Sequence, residues 1–193
     1  GASWTRHYEY DGSSTGSNRL ISTSLPGDTV GVFPYSAQYT HDVHGNITAM
    51  PHLASIGHDH ADRVKTADLG GGGTAHYVYR ADGSRARKVI ERIGTLVEER
   101  IYLGGWELYR KRDHTGLLLE RETLHVTDDK RRVAMVETKT VDTAAGPFTV
   151  TPRYRFQLDD HIWSARLECD DAGLVISYEE FHPYGTSAYR SAR

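Results

Sequence analysis

Residues Trp163–Phe181 read WSARLECDDAGLVISYEEF, and this stretch decides the fold. Trp163, Ala165, Leu167 and Cys169 alternate with Ser164, Arg166 and Glu168, which puts apolar side chains on one face of a strand and polar ones on the other. Asp170-Asp171-Ala172-Gly173 then supplies a turn, and a glycine closing such a loop reaches positive φ without a Cβ clash. Leu174 to Phe181 is the predicted return strand. The unit is an antiparallel hairpin.

The same grammar recurs upstream. Glu107 to Arg112 runs into Asp113-His114-Thr115-Gly116, and Leu117 onward runs back. Leu124-His125-Val126 meets a turn at Thr127-Asp128-Asp129-Lys130, Arg131 to Thr140 returns, and Asp142 to Pro147 ends that strand. No stretch has a helical period beyond two turns; the best is a weak one around His52 to Ile56. The fold class expected is all-β, with under about a tenth of the residues helical. Ser22 to Pro34 reads as a long loop, and Gly70–Gly73 as either a linker or a tight bend.

Composition agrees. The 193 residues include 19 Gly, and 12 Tyr against 4 Phe, a balance that suits turns and a sheet with one wet face. The length allows one sheet-based unit, residues 1–193, with 1–6 read as a cloning remnant or lead-in. A net charge of −3 offers no electrostatic footprint for nucleic acid. No apolar run approaches the roughly 18–20 residues of a membrane-spanning helix. Cys169 stands alone, so the fold cannot rely on an intrachain disulfide.

Internal repetition carries more information. Tyr8-Glu9-Tyr10-Asp11 leads through a Gly/Ser/Asn cluster to Asn18-Arg19-Leu20, and Tyr39-Thr40-His41-Asp42 through His44-Gly45-Asn46 to Ile47. His58-Asp59-His60-Ala61-Asp62 leads to Arg63-Val64, and Tyr77-Val78-Tyr79-Arg80 through Asp82-Gly83 to Arg85. Each copy is strand, turn and return strand, with the Asp placed to bond backbone N–H groups of the turn. A unit this short cannot bury its own face, so successive hairpins must stack into a continuous sheet.

These repeats resemble the YD repeats of RHS-repeat proteins, as in bacterial polymorphic toxins and toxin-complex proteins. The stretches Asp59–Val89, Glu98–Lys111, Leu117–Thr140 and Ile176–Tyr189 are similar to the run just before the RHS-associated core of the toxin-complex branch. The resemblance implies stacked antiparallel β-hairpins forming part of a spiralling β-sheet shell, secreted or at the cell surface, that encloses a C-terminal toxin until delivery. It also implies an aspartate self-protease beyond the stretch represented by His182-Pro183-Tyr184-Gly185-Thr186; that core and any toxin domain are expected to be absent. No catalytic residue is carried over. One departure is His161-Ile162-Trp163-Ser164, where family members commonly have His-Leu-Gly-Ser.

Tempting chemistry weighs little. His41, His44, His52, His58 and His60 are metal-ligand types, and on a strand His58 and His60 would face the same way; a repeat position and a turn explain them as well. The doublets Glu98-Glu99, Asp128-Asp129, Asp159-Asp160, Asp170-Asp171 and Glu179-Glu180 point to opposite faces of a strand or sit in turns, unlike the facing carboxyls of a glycosidase. Cys169 reads as a small buried hydrophobe. Gly70–Gly73 lacks the Lys-Ser/Thr end of a phosphate loop. Catalytic, cofactor-binding and metal sites are therefore expected to be none, and the chain not an enzyme.

Two functions remain: a shell or scaffold segment, and a non-catalytic carbohydrate- or protein-binding sheet module. Exposed Tyr and Trp on one face would favour the second, and a lining of small polar residues the first. Partners expected of the first are the remainder of the shell, the enclosed toxin segment and other copies through open strand edges. Arg110-Lys111-Arg112 and Lys130-Arg131-Arg132 are expected to blunt two edges. Trp163, Leu167, Ile176, Tyr178, Val133, Met135, Tyr77 and Tyr79 are expected to be mostly buried or to pack on sheet neighbours.

Overall fold

The computed structural model describes residues 5–12, 16–129, 131–160, 164–181 and 187–192, all of them strand, turn or loop. Asp at the head of a turn explains why. In Asp170 to Leu174 the Asp170 N–H donates to the Leu174 carbonyl at 2.9 Å and the Gly173 N–H to the Asp170 carbonyl at 3.0 Å. The Asp170 carboxylate accepts from the N–H groups of Ala172 and Leu174, so a single side chain satisfies two turn donors. The pattern recurs at Asp42 to Asn46 and Asp59 to Arg63, where the side chain again takes backbone donors.

Contacts divide the chain into two units, Gly1–Val78 with Val89–Gly94, and Tyr79–Lys88 with Thr95–Arg193. In the first unit β1 (Tyr8–Tyr10), β2 (Leu20–Thr23) and β3 (Ala37–Gln38) pair antiparallel in that order. Next, β4 (Thr40–His41) and β5 (Ile47–Ala49) form a hairpin, and β6 (Ser55–His58), β7 (Val64–Asp68) and β8 (Thr74–Tyr79) a meander. Strand β9 (Arg85–Glu91) is shared between the units.

The second unit is a meander in which each strand pairs with the next. Its members are β10 (Val97–Leu103), β11 (Trp106–Asp113), β12 (Gly116–Asp128), β13 (Arg131–Asp142), β14 (Pro152–Asp159), β15 (Ala165–Cys169), β16 (Val175–Phe181) and β17 (Ser187–Ala192). Every hairpin expected from the sequence here is present. The four glycines form the tight bend rather than a linker: Leu69 N–H donates to the Gly73 carbonyl at 2.9 Å, closing the β7–β8 turn. The weak helical stretch is a turn, with a β-bridge between Met50 and Leu53 and β6 beginning at Ser55.

The core is thin, and most of the residues expected to be buried or packed on sheet neighbours are of the second kind. Among the described residues the buried apolar ones are small or few: Tyr35, Ala37, Ala67, Ala75, Leu108 and Ala134. Leu167, Ile176, Tyr178, Met135, Tyr77 and Tyr79 are half-buried, and Val133 is exposed. Alternation correctly gave the shared faces but not a second layer to cover them, and burial needs both. Trp163, the His-Ile-Trp-Ser departure and His182–Thr186 fall on or across positions outside the described residues. Arg110-Lys111-Arg112 and Arg131-Arg132 are not edge guards either, since β11 and β13 are interior strands; Lys130 lies outside the described residues.

Candidate functional site

Register in the second unit sorts the side chains into two faces. Cross-strand partners share a face, so Trp106, Leu124, Val136 and Tyr154 form one row. Val126, Ala134, Phe156 and Cys169 form the next, followed by Leu158, Leu167 and Tyr178. These rows make an apolar face across β11–β16. It is not covered: Leu124, Tyr154, Phe156 and Leu158 are 49%, 47%, 46% and 55% exposed.

The opposite face is charged, and it is the more buried of the two. Glu107, Thr123 and Gln157 are buried there. Glu107 accepts from Arg100 and lies 3.8 Å from His125 Nε2. Arg132 bonds both His125 Nδ1, at 3.3 Å, and Gln157, whose amide donates to Glu168 at 2.6 Å. Ser177 also donates to Glu168, at 3.0 Å, while Arg155 bridges Glu168 (3.4 Å) and Glu137 (2.7 Å). Glu137 also meets Arg121 at 3.4 Å, and Tyr109 stacks under the guanidinium groups of Arg100 and Arg121 at 5.0 and 5.5 Å. The result is a hydrogen-bonded charged ladder from β10 to β16. Long stems lying flat on the sheet bury one another's heads, so charge here substitutes for a packed layer.

Tyr109 has its hydroxyl pKa raised, first by burial and then by Glu98, to which the hydroxyl donates at 3.2 Å. On the Trp106 side, in the row Glu99–Arg110–Glu120, Glu120 accepts from Arg110 at 2.7 Å and Thr140 at 2.8 Å, and both bonds hold its pKa below the ordinary range. Glu99 is buried beside Arg87, with Arg112 at 3.9 Å. Each of these acids, on either face, therefore lies beside a cation or hydroxyl, an arrangement that holds strands in register. Sequence reading missed it, because the pairs join positions up to 25 residues apart.

The histidines are not brought together. His41 lies in β4, His58 ends β6, and His52, His44 and His60 lie in exposed turns, so His58 and His60 do not share a strand. His44 Nδ1 instead pairs with Asp62 at 2.8 Å; that bond, more than the charge, raises its pKa. Among the described residues no three His, Cys, Asp or Glu converge as a metal set. The carboxylate doublets are split: Glu98 and Glu99 take different partners, Asp160 accepts from Ser164 N–H and Arg166, and Asp170 caps its turn. Glu179 accepts from Ser187, and Glu180 from Tyr178 at 2.7 Å, which raises the Tyr178 pKa. Cys169 is half-buried on the apolar face. Neither expected lining occurs in pure form: the exposed face mixes Tyr154 with Phe156, Leu124 and Leu158, and its opposite is built of long charged side chains rather than small ones. No helix of the described residues is long and apolar enough to cross a membrane.

No family model matches the chain. Toxin subunit YenC1 of Yersinia entomophaga is 31% identical over 120 residues, covering 61% of this chain and 12% of that protein. YenC2 of the same organism is 33% identical over 123 residues, 60% of this chain and again 12% of the relative. The fold is similar to that in the Photorhabdus luminescens Tc holotoxin pore structure (TM-score 0.70, 20% identity) and in the crystal structure of TcdB2–TccC3 (TM-score 0.71, 20% identity). Both likenesses cover 97% of this chain and 10% of the other. The resemblance to toxin-complex proteins read from the repeats is borne out, and so is the all-β fold.

Proposed function

We propose that this chain is a structural segment, residues 1–193, of the β-shell of a toxin-complex protein that encloses and helps deliver a C-terminal toxin. In this reading it has no catalytic centre, takes no metal or cofactor, and works in a secreted or cell-surface parent. Its partners are the remainder of the shell and the enclosed segment. The observation that carries the proposal is the uncovered apolar face of β11–β16, backed by a charged ladder on the same strands. A free-standing binding domain would cover such a face with a second layer. A strip of shell leaves it to the rest of the assembly. The likeness of sequence and fold to toxin-complex subunits supports the same reading.

The test compares the chain with its parent. An apolar dye such as ANS should bind the excised chain strongly and the intact parent weakly, and Leu158→Lys with Phe156→Lys should abolish the difference. An excised chain that binds no dye, and instead binds soluble oligosaccharide, would replace the shell with the carbohydrate-binding module.

A further inference from the structure

Beside the charged ladder, the β13–β14 connection and the strands flanking it bound a groove of about 450 Å³. Four cations line it, Arg121, Lys139, Arg153 and Arg155, against one carboxylate, Glu137. Three of the cations are engaged. Arg155 holds Glu137 and Glu168, Arg121 holds Glu137 through Nη1, and Lys139 donates to Asp142 at 2.6 Å. Arg153 is not: it is exposed, and no side-chain partner is recorded for it among the described residues. Its cross-strand neighbour is Glu137, whose oxygens already serve Arg121 and Arg155.

A second donor is also unmet. The Nε–H of Arg121 is buried with no acceptor. An orphaned donor on a charged, desolvated group is costly, and native structures seldom leave one without a reason. That N–H is shut away from the groove, so the unpaired guanidinium a ligand can reach is that of Arg153. Counting Asp142 and Glu168, which neutralise Lys139 and Arg155, a single positive charge is left over, and it belongs to Arg153. That balance suits a monoanion better than a phosphate dianion. The walls add an apolar element, Phe148 and Ala145, against which the methylenes of an acidic side chain would lie.

We propose that this groove binds a carboxylate carried on an acidic polypeptide segment, with Arg153 as the principal contact. Guanidinium is the appropriate group, since its planar fork matches the two oxygens of a carboxylate. The groove lies wholly within the second unit, so the proposal stands or falls independently of the shell reading. On its other side Arg153, with Arg155, also lines a groove that carries Asp170 and Asp171, so an acidic segment is accepted on the β13–β14 side and opposed beside those two aspartates.

Calorimetric titration of the full chain with hexaglutamate, hexalysine and inorganic phosphate at low ionic strength tests it. Hexaglutamate should saturate at one peptide per chain, weaken with added salt, and outcompete phosphate; hexalysine should not bind. Arg153→Gln strands no partner and should keep the circular dichroism of the parent sequence while weakening the peptide at least about tenfold. Arg153→Lys should lose less, keeping the charge without the fork. Absence of saturable peptide binding, equal binding by Arg153→Gln, or binding of phosphate in preference to peptide would each overturn the assignment.

Discussion

At position 59 one carboxylate accepts from the N–H groups of Ala61 and Arg63 and pairs with the Arg63 guanidinium at 2.8 Å. The Arg63 hydrogen bond, ahead of the backbone bonds, lowers the Asp59 pKa to about 2. A depressed carboxylate pKa contributes stability above its unfolded value, and that contribution is lost as pH falls through about 2. In Arg63→Gln the Asp59 midpoint, read by carboxyl-carbon NMR, should climb back toward the ordinary aspartate range; an unmoved midpoint would remove Arg63 as the cause. His44 has the opposite sign. Raised by its bond to Asp62, it contributes below the unfolded histidine pKa, and the contribution fades as pH rises through the folded one. Imidazole proton shifts should show the His44 midpoint falling in Asp62→Asn. Gly73 makes a steric prediction: with φ at +93° its Cβ would lie 2.0 Å from the Glu91 carbonyl oxygen. Gly73→Ala should cost about 2–4 kcal/mol in urea unfolding. Gly71→Ala, at φ +97° but with nothing within 4 Å, should cost only the backbone strain, about 1–2 kcal/mol.

Hairpins were legible because their information is local. Asp at the turn head, Gly near its close and strict alternation on both sides lie within about a dozen residues, and the structure builds β11–β12, β12–β13 and β15–β16 from those signals. The charged ladder was not legible, because Glu137 finds Arg121 and Arg155 only after three strands have paired in register. Nor does a sequence reveal where a strand will bulge, which is why Val133, left unpaired between Arg132 and Ala134, was expected inside and lies outside. The ladder carries its own prediction. Glu137→Ala leaves two guanidinium groups facing each other on a face where Glu137 is only 11% exposed. Both arginines keep partial access to water, so the loss should be about 1–3 kcal/mol, less than for a fully buried pair. Denaturant midpoints measure it, and a change within a few tenths would mean that the ladder is decorative.

For the whole molecule the question is what the open surfaces do in solution. The second unit has two: the apolar face, and β17, which pairs with β16 alone among the described residues and is exposed along its length. A strand with one free side presents unpaired N–H and C=O groups that template association, and the basic triplets cannot guard it because they lie in β11 and in or beside β13. An exposed apolar face acts in the same direction but without register. The chain by itself should therefore self-associate, and light scattering over a wide concentration range should show mass rising with concentration. Two variants separate the causes. Ala188→Pro removes an N–H from β17 and should cut association by the edge while leaving the face intact. Tyr154→Lys with Leu158→Lys charges the face and leaves the edge free. If either variant alone yields a monomer, that surface is the one through which the chain associates. If the unaltered chain is already a clean monomer at every concentration, its own loops cap both surfaces, and the proposed shell segment gives way to a closed domain.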